Sequence, residues 1–202
     1  MNILKLIGRD SELFTSDIQH NEEQLTHIVS NSKFLVVGGA GSIGQAVTKE
    51  IFRRNPRKLH VVDISETSLD MTKKIYKKLE LDKKHIVNFT LSDINLFKTG
   101  YLYDFIVMGE VLEHVENPGS ILDKLYSLLA EDGKIYISTC SNCPAIDHIT
   151  YFQEVEDIRS LVLESKFKIL EECIAPSENM SEEKLRKFKI DIVYAAILVK
   201  EK

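Results

Sequence analysis

The chain has 202 residues, 44% hydrophobic and 28% charged, with a net charge of −5. That length suits one α/β domain with a short appendage, and the acidic balance gives no general attraction for nucleic acid or an anionic membrane surface. No apolar run approaches the roughly 18 residues of a spanning helix. Acidic residues follow Met1 too soon for a secretory signal, and three cysteines (Cys140, Cys143, Cys173) are too few for a disulfide scaffold. The expectation is a cytoplasmic protein with a small-molecule substrate; the pattern sets no oligomeric state.

Residues 1–31 are polar and broken in pattern, read as an N-terminal helical appendage with short helices over 11–20 and 22–29. From residue 32 to 202 β and α segments alternate, the signature of a mostly parallel sheet covered on both faces. Strands are predicted at 34–37, 59–62, 86–91, 105–108 and 134–139, with helices at 43–54, 65–79, 117–129 and 155–164. Asn55-Pro56 stops the first of these helices, Ser65 or Thr67 caps the second, and Asn117-Pro118 starts the third. Gly133 is read as the stop before the fifth strand. Segments 167–174 and 190–199 are the last strands, joined by the polar stretch 177–189. They lack a helical crossover and read as an antiparallel closing pair.

Between the first strand and its helix lies Gly38-Gly39-Ala40-Gly41-Ser42-Ile43-Gly44. In a G-x-G-x-x-G loop Gly39 permits the turn, Gly41 lets backbone approach a bound group and Gly44 lets helix and strand pack closely. The helix N-terminus supplies free N–H groups suited to a pyrophosphate. Asp63, nineteen residues beyond Gly44 and ending the second strand, can accept hydrogen bonds from ribose hydroxyls. The plainer alternatives are a glycine-rich turn without a ligand, and Asp63 as a helix cap.

Two resemblances meet in the chain. The stretch FLVVGGAGSIGQAVTKEIFRRNPRKLHVVDIS resembles the start of NAD-dependent nucleotide-sugar 4,6-dehydratases and epimerases, which are extended short-chain dehydrogenases. That resemblance, covering residues 1–64, implies NAD held by Gly38, Gly39, Gly41, Ser42, Ile43, Gly44 and Asp63. It also implies a Tyr-x-x-x-Lys pair, and no tyrosine here has a lysine four residues later. From residue 65 onward, LSDINLF, YDFIVMGEVLEHVENPGSILDKLYSLLAEDGKIYIST and the FKIL…VYAAILV ending resemble class I S-adenosylmethionine-dependent methyltransferases. This second resemblance implies a seven-stranded α/β/α sandwich of order 3-2-1-4-5-7-6. It places ribose at Asp63 with Ile64 beside it, adenine at Asp93 and Ile94, and the methionine part of the cofactor near Gly109 and Glu110. The loop departs from that family, which has an acid just before a shorter glycine turn where Val37 and Gly38 stand here. The two resemblances imply a hybrid joined near 61–66, a natural recombinant or a built chimera. A continuous, divergent methyltransferase with an unusual loop is the alternative.

After the fourth strand, Glu110, Glu113 and His114 form E-x-x-E-H. On a helical turn all three would share one face at the carboxyl end of the sheet. Two carboxylates and an imidazole can hold a divalent cation, with His148 as a further ligand, or Glu110 and His114 can serve as base and orienter beside a methyl acceptor. The pattern is equally a helix start in metal-free proteins. Cys140-Ser-Asn-Cys143 is read as incidental, because a zinc site needs further Cys or His ligands. The leading function is therefore an S-adenosylmethionine-dependent methyltransferase acting on a small molecule. The alternative is an NAD-binding module without catalysis.

Overall fold

The computed structural model describes residues 15–79, 86–176 and 191–201. Two short helices, α1 (Thr15–His20) and α2 (Glu22–Ser30), precede β1 (Lys33–Val37), α3 (Ser42–Arg53), β2 (Lys58–Asp63) and α4 (Glu66–Leu79). Then come β3 (Val87–Leu91), β4 (Tyr103–Gly109), α5 (Pro118–Leu128), β5 (Leu129–Ser141), α6 (Val155–Glu164), β6 (Phe167–Pro176) and β7 (Ile192–Lys200). One-turn 3-10 helices follow β3 at Ile94–Leu96 and β4 at Leu112–His114.

The seven strands form one sheet in the order β3-β2-β1-β4-β5-β7-β6, with β7 antiparallel to both neighbours. This is the predicted topology. Alternation along each strand sorts the core onto two faces. Leu35, Ile106, Met108, Ile135 and Leu198 pack under Leu122 and Leu125 of α5 and Ile158 and Val162 of α6. Phe34, Val36, Leu59 and Val61 point the other way, against Val29 of α2, Ile51 and Phe52 of α3 and Leu69 of α4. Over β4, β5 and β7 that second face is left as an apolar hollow of about 650 Å³, lined by Phe105, Val107, Tyr136 and Ile197 among others. Arg54, itself buried, ties α2 to α3 by reaching Glu22 at 2.5 Å and Glu50 at 3.0 Å.

Helix starts follow their sequence signals. Asn117 accepts a hydrogen bond from the Ser120 amide with Pro118 in the first turn, and Ser65 Oγ accepts from the Ser68 amide. The predicted stop at Gly133 is wrong. Leu129 already pairs with Tyr103, and the strand slips register before Lys134 pairs with Phe105. Gly133 belongs to that irregularity, where a β-carbon would sit 2.7 Å from Leu129 Cδ1. The stretch 177–189 lies outside the described residues. Among those described, no helix is long and apolar enough to cross a membrane.

Candidate active site

Neighbouring β1 and β4 send their chains in opposite directions, α3 toward β2 and α5 toward β5, so a crevice opens at their carboxyl ends. A cleft of about 720 Å³ lies there. Gly38, Asp63, Ile64, Asp93, Ile94, Glu110 and His114 line it, together with Val111, Asn117, Ser120 and Asp147.

The loop after β1 distributes its glycines differently from expectation. Gly38 makes the turn, at φ +68°, and its amide donates to Val62 O at 2.9 Å. A β-carbon there would also lie 2.9 Å from Val111 Cγ2. Gly39 is needed for packing: its β-carbon would fall 2.6 Å from Val61 Cγ1 of β2. Gly44 packs as predicted, since a β-carbon would meet Gly38 O at 2.1 Å. Gly41 is the N-cap of α3, exposed, with nothing nearer a β-carbon than Gly38 O at 3.4 Å. Gly39, Gly41 and Ser42 do not line the cleft, while Ile43, Gly44 and Gly109 face the apolar hollow instead. The predicted cofactor set therefore splits, and only Gly38 of the loop reaches the cleft wall.

Asp63 ends β2 and is buried. Its Oδ2 accepts from the Ala40 amide at 2.9 Å and its Oδ1 from the Ser65 amide at 2.8 Å. The carboxylate thus ties the glycine loop to the start of α4, and each oxygen keeps a second lone pair. Capping and ligand binding are compatible at this residue. Asp93 is exposed and caps the Ile94–Leu96 turn through Asn95 N at 2.8 Å. Ile94 is buried beneath it.

On the opposite wall, Glu110 adopts φ +52°, a left-handed conformation that a non-glycine residue holds only at a cost. Its amide donates to Ser138 O at 2.9 Å and its Oε1 accepts from Ser138 Oγ at 2.6 Å. Burial raises the Glu110 pKa; the Ser138 hydroxyl opposes the shift, and neighbouring Glu113 adds to it. The kink at Glu110 prevents the single helical face expected for E-x-x-E-H. Glu113 turns inward, buried, to accept from Thr139 Oγ1 at 2.7 Å. His114 stays at the rim with Nδ1 2.9 Å from Asp147 O. The loop after β5 folds back over this turn, with the Ile149 and Thr150 amides donating to Glu113 O at 2.8 and 3.0 Å. It carries His148, whose ring centroid lies 5.1 Å from that of His114.

Among the described residues, ligand atoms of Glu113, His114 and His148 lie within 4.8 Å of one another, as do those of Glu110, Glu113 and Cys140, and of Cys140, Cys143 and His148. The three cysteines are free, and burial raises the pKa of both Cys140 and Cys143. Such thiols are poor nucleophiles. Ser138 and Thr139, which hold the two carboxylates, were missed in the sequence. Their signal was a pair of adjacent hydroxyls directly after the apolar run Ile135–Ile137.

Residues 36–135 match the family model described as a methyltransferase domain. The fold is that of the class I methyltransferases. A malonyl-[acyl-carrier protein] O-methyltransferase of Ilyobacter polytropus is 28% identical over 155 residues, covering 74% of this chain and 52% of the relative. A ubiquinone biosynthesis O-methyltransferase of Coxiella burnetii is 27% identical over 124 residues, covering 60% and 48% respectively. The chain therefore spans about half the length of these curated relatives. The crystal structure of the N-methyltransferase NodS from Bradyrhizobium japonicum, solved with S-adenosyl-L-homocysteine, superposes with a TM-score of 0.64 at 17% identity. That likeness covers 96% of this chain and 90% of NodS.

The family match lends the hybrid expectation no support. It runs unbroken from Val36 through the glycine loop and across residues 61–66, where a junction was expected. Neither a dehydratase or epimerase segment, nor NAD binding, nor a chimera finds support there. The physical reason for the misleading loop is visible in its packing: Gly39 and Gly44 satisfy contacts between loop, helix and strand that any close β-α-β unit shares, whatever it binds.

Proposed function

We propose that the protein transfers a methyl group from S-adenosylmethionine to a small molecule, with the cofactor in the cleft between Asp63 and Glu110. One observation carries this reading: two acids on the β2–β3 side, Asp63 and Asp93, face a strained acid and an imidazole, Glu110 and His114, across one crevice at the switch point. The residues fit such a cofactor. Its volume is ordinary for a small-molecule site, Gly38 leaves the floor open where a side chain would clash, and Asp63 retains acceptor capacity toward the cleft. Asp63 would accept the ribose hydroxyls, and Asp93 with Ile94 would border the adenine. When bound, S-adenosylmethionine supplies an electrophilic methyl group.

The chain's own contribution is alignment and one proton. Glu110, with its raised pKa, is suited to accept a proton from an acceptor hydroxyl. His114 would orient that hydroxyl from the rim. Exposed Ile64 and Ile149 border the cleft and fit an acceptor with an apolar body. Calorimetric titration with S-adenosylhomocysteine, S-adenosylmethionine and NAD tests the proposal. Micromolar binding of the first two supports it; binding of NAD alone, or of none, overturns it.

A further inference from the structure

We propose that Cys140, Cys143 and His148 bind one soft divalent cation, zinc by the chemistry of its donors, at the mouth of β5. Cys140 is buried near the end of that strand, and the chain reverses at Asn142, φ +53°, which brings Cys143 back toward it. His148 returns from the same loop, so that one ligand atom from each of the three lies within 4.8 Å of the others. In a tetrahedral zinc site, donor atoms 2.0–2.3 Å from the metal stand about 3.3–3.8 Å apart, so closure needs only small side-chain adjustments.

The imidazole is already set for the task. His148 Nδ1 lies 2.7 Å from Cys143 O, and a carbonyl oxygen only accepts, so Nδ1 carries the hydrogen and Nε2 keeps its lone pair. The Asp191 carboxylate stands beside the Cys143 thiol, and a water molecule can fill the fourth position. Two thiolates and an imidazole select zinc over magnesium or calcium. As the metal–sulfur bonds form, two thiol protons pass to solvent, so a doubly charged cation meets two thiolates and a neutral imidazole. His148 is also the third member of the Glu113–His114 group, which would suit a harder cation, and it cannot serve both sites at once. The proposal concerns binding and does not rest on the methyl-transfer reading.

Cobalt(II) is the probe, added to reduced full-length protein. One equivalent should bind with a thiolate-to-metal charge-transfer band and tetrahedral visible absorption, and zinc should displace it. Cys143→Ser, checked for folding by circular dichroism, should abolish the band and weaken zinc binding about 100-fold or more. Cys173→Ser and Glu113→Gln should keep the band. Cobalt binding without charge transfer, a band that survives Cys143→Ser in the folded variant, or no binding at all would overturn the proposal.

Discussion

The two walls of the cleft are built by different means. On the β1–β2–β3 side, backbone does the work: glycines pack loop against helix and strand, and one carboxylate gathers two amides. On the β4–β5 side, side chains do it: two acids are held by two hydroxyls, one acid on a left-handed residue, with an imidazole at the rim. The first wall can be rigid without any ligand. The second carries a strained acid whose carboxyl burial pushes toward the neutral form, the kind of feature that clusters at functional sites. Substitutions on the first wall should therefore cost stability, and those on the second should cost function first.

The largest effect is expected at Gly44. Gly44→Ala drives a methyl group onto Gly38 O, a backbone atom with no freedom to yield, and should destabilise by more than ~3 kcal/mol or prevent folding. Gly41→Ala, with room for its methyl, should leave the melting temperature nearly unchanged; equal losses at both positions would show that the loop's glycines are not specialised as described. Next comes Asp63→Ala, which strips the acceptor from the Ala40 and Ser65 amides. Denaturant titration should show a loss of ~2–4 kcal/mol, and affinity for S-adenosylhomocysteine should fall roughly 10- to 100-fold.

Glu110→Gln sharpens the contrast from the other wall. Because folding raises the Glu110 pKa, the folded state favours the neutral carboxyl, so this group adds stability at low pH and loses it as pH rises through the folded value. The amide should make the protein slightly more stable at pH 8. Activity should meanwhile fall about 10²- to 10⁴-fold, the usual range for removing a general base. For the same reason wild-type activity should decline as acidification protonates Glu110. A variant both less stable and fully active would invert the assignment of the two walls.

The sheet itself was legible because its signals are local: period-two apolar strands, Asn-Pro and Asn117-Pro118 at helix ends, and an acid closing β2. The cleft was half legible. Asp63 ends β2 and Asp93 lies two residues beyond β3, so their position follows from topology. Glu110, Glu113 and His114 were found as a cluster, but their shared helical face was not realised, because the chain turns left-handed at Glu110 and enters a 3-10 turn. The Gly133 stop failed for a similar reason: a glycine marks irregular backbone, and here the irregularity lies inside a strand. The grouping of Cys140 and Cys143 with His148 depends on how a loop folds back, which no spacing rule encodes.

A smaller effect lies beneath the first wall. His60 of β2 is buried, with Nδ1 hydrogen-bonded to the Tyr103 hydroxyl, and burial lowers its pKa to about 4. A depressed folded pKa means that stability is full above the unfolded value near 6.5 and is lost as pH falls toward 4. Denaturation at pH 7 and pH 4.5 should differ by about 2 kcal/mol from this residue, a difference that His60→Gln should reduce.

The proposed cofactor position lies between these two walls rather than in the apolar hollow on the second face of the sheet. Amide chemical-shift changes on adding S-adenosylhomocysteine test it directly. Gly38, Ile64, Ile94 and Val111 should shift most while Phe105, Val107 and Tyr136 stay still. Shifts concentrated at Phe105, Val107 and Tyr136 would contradict it.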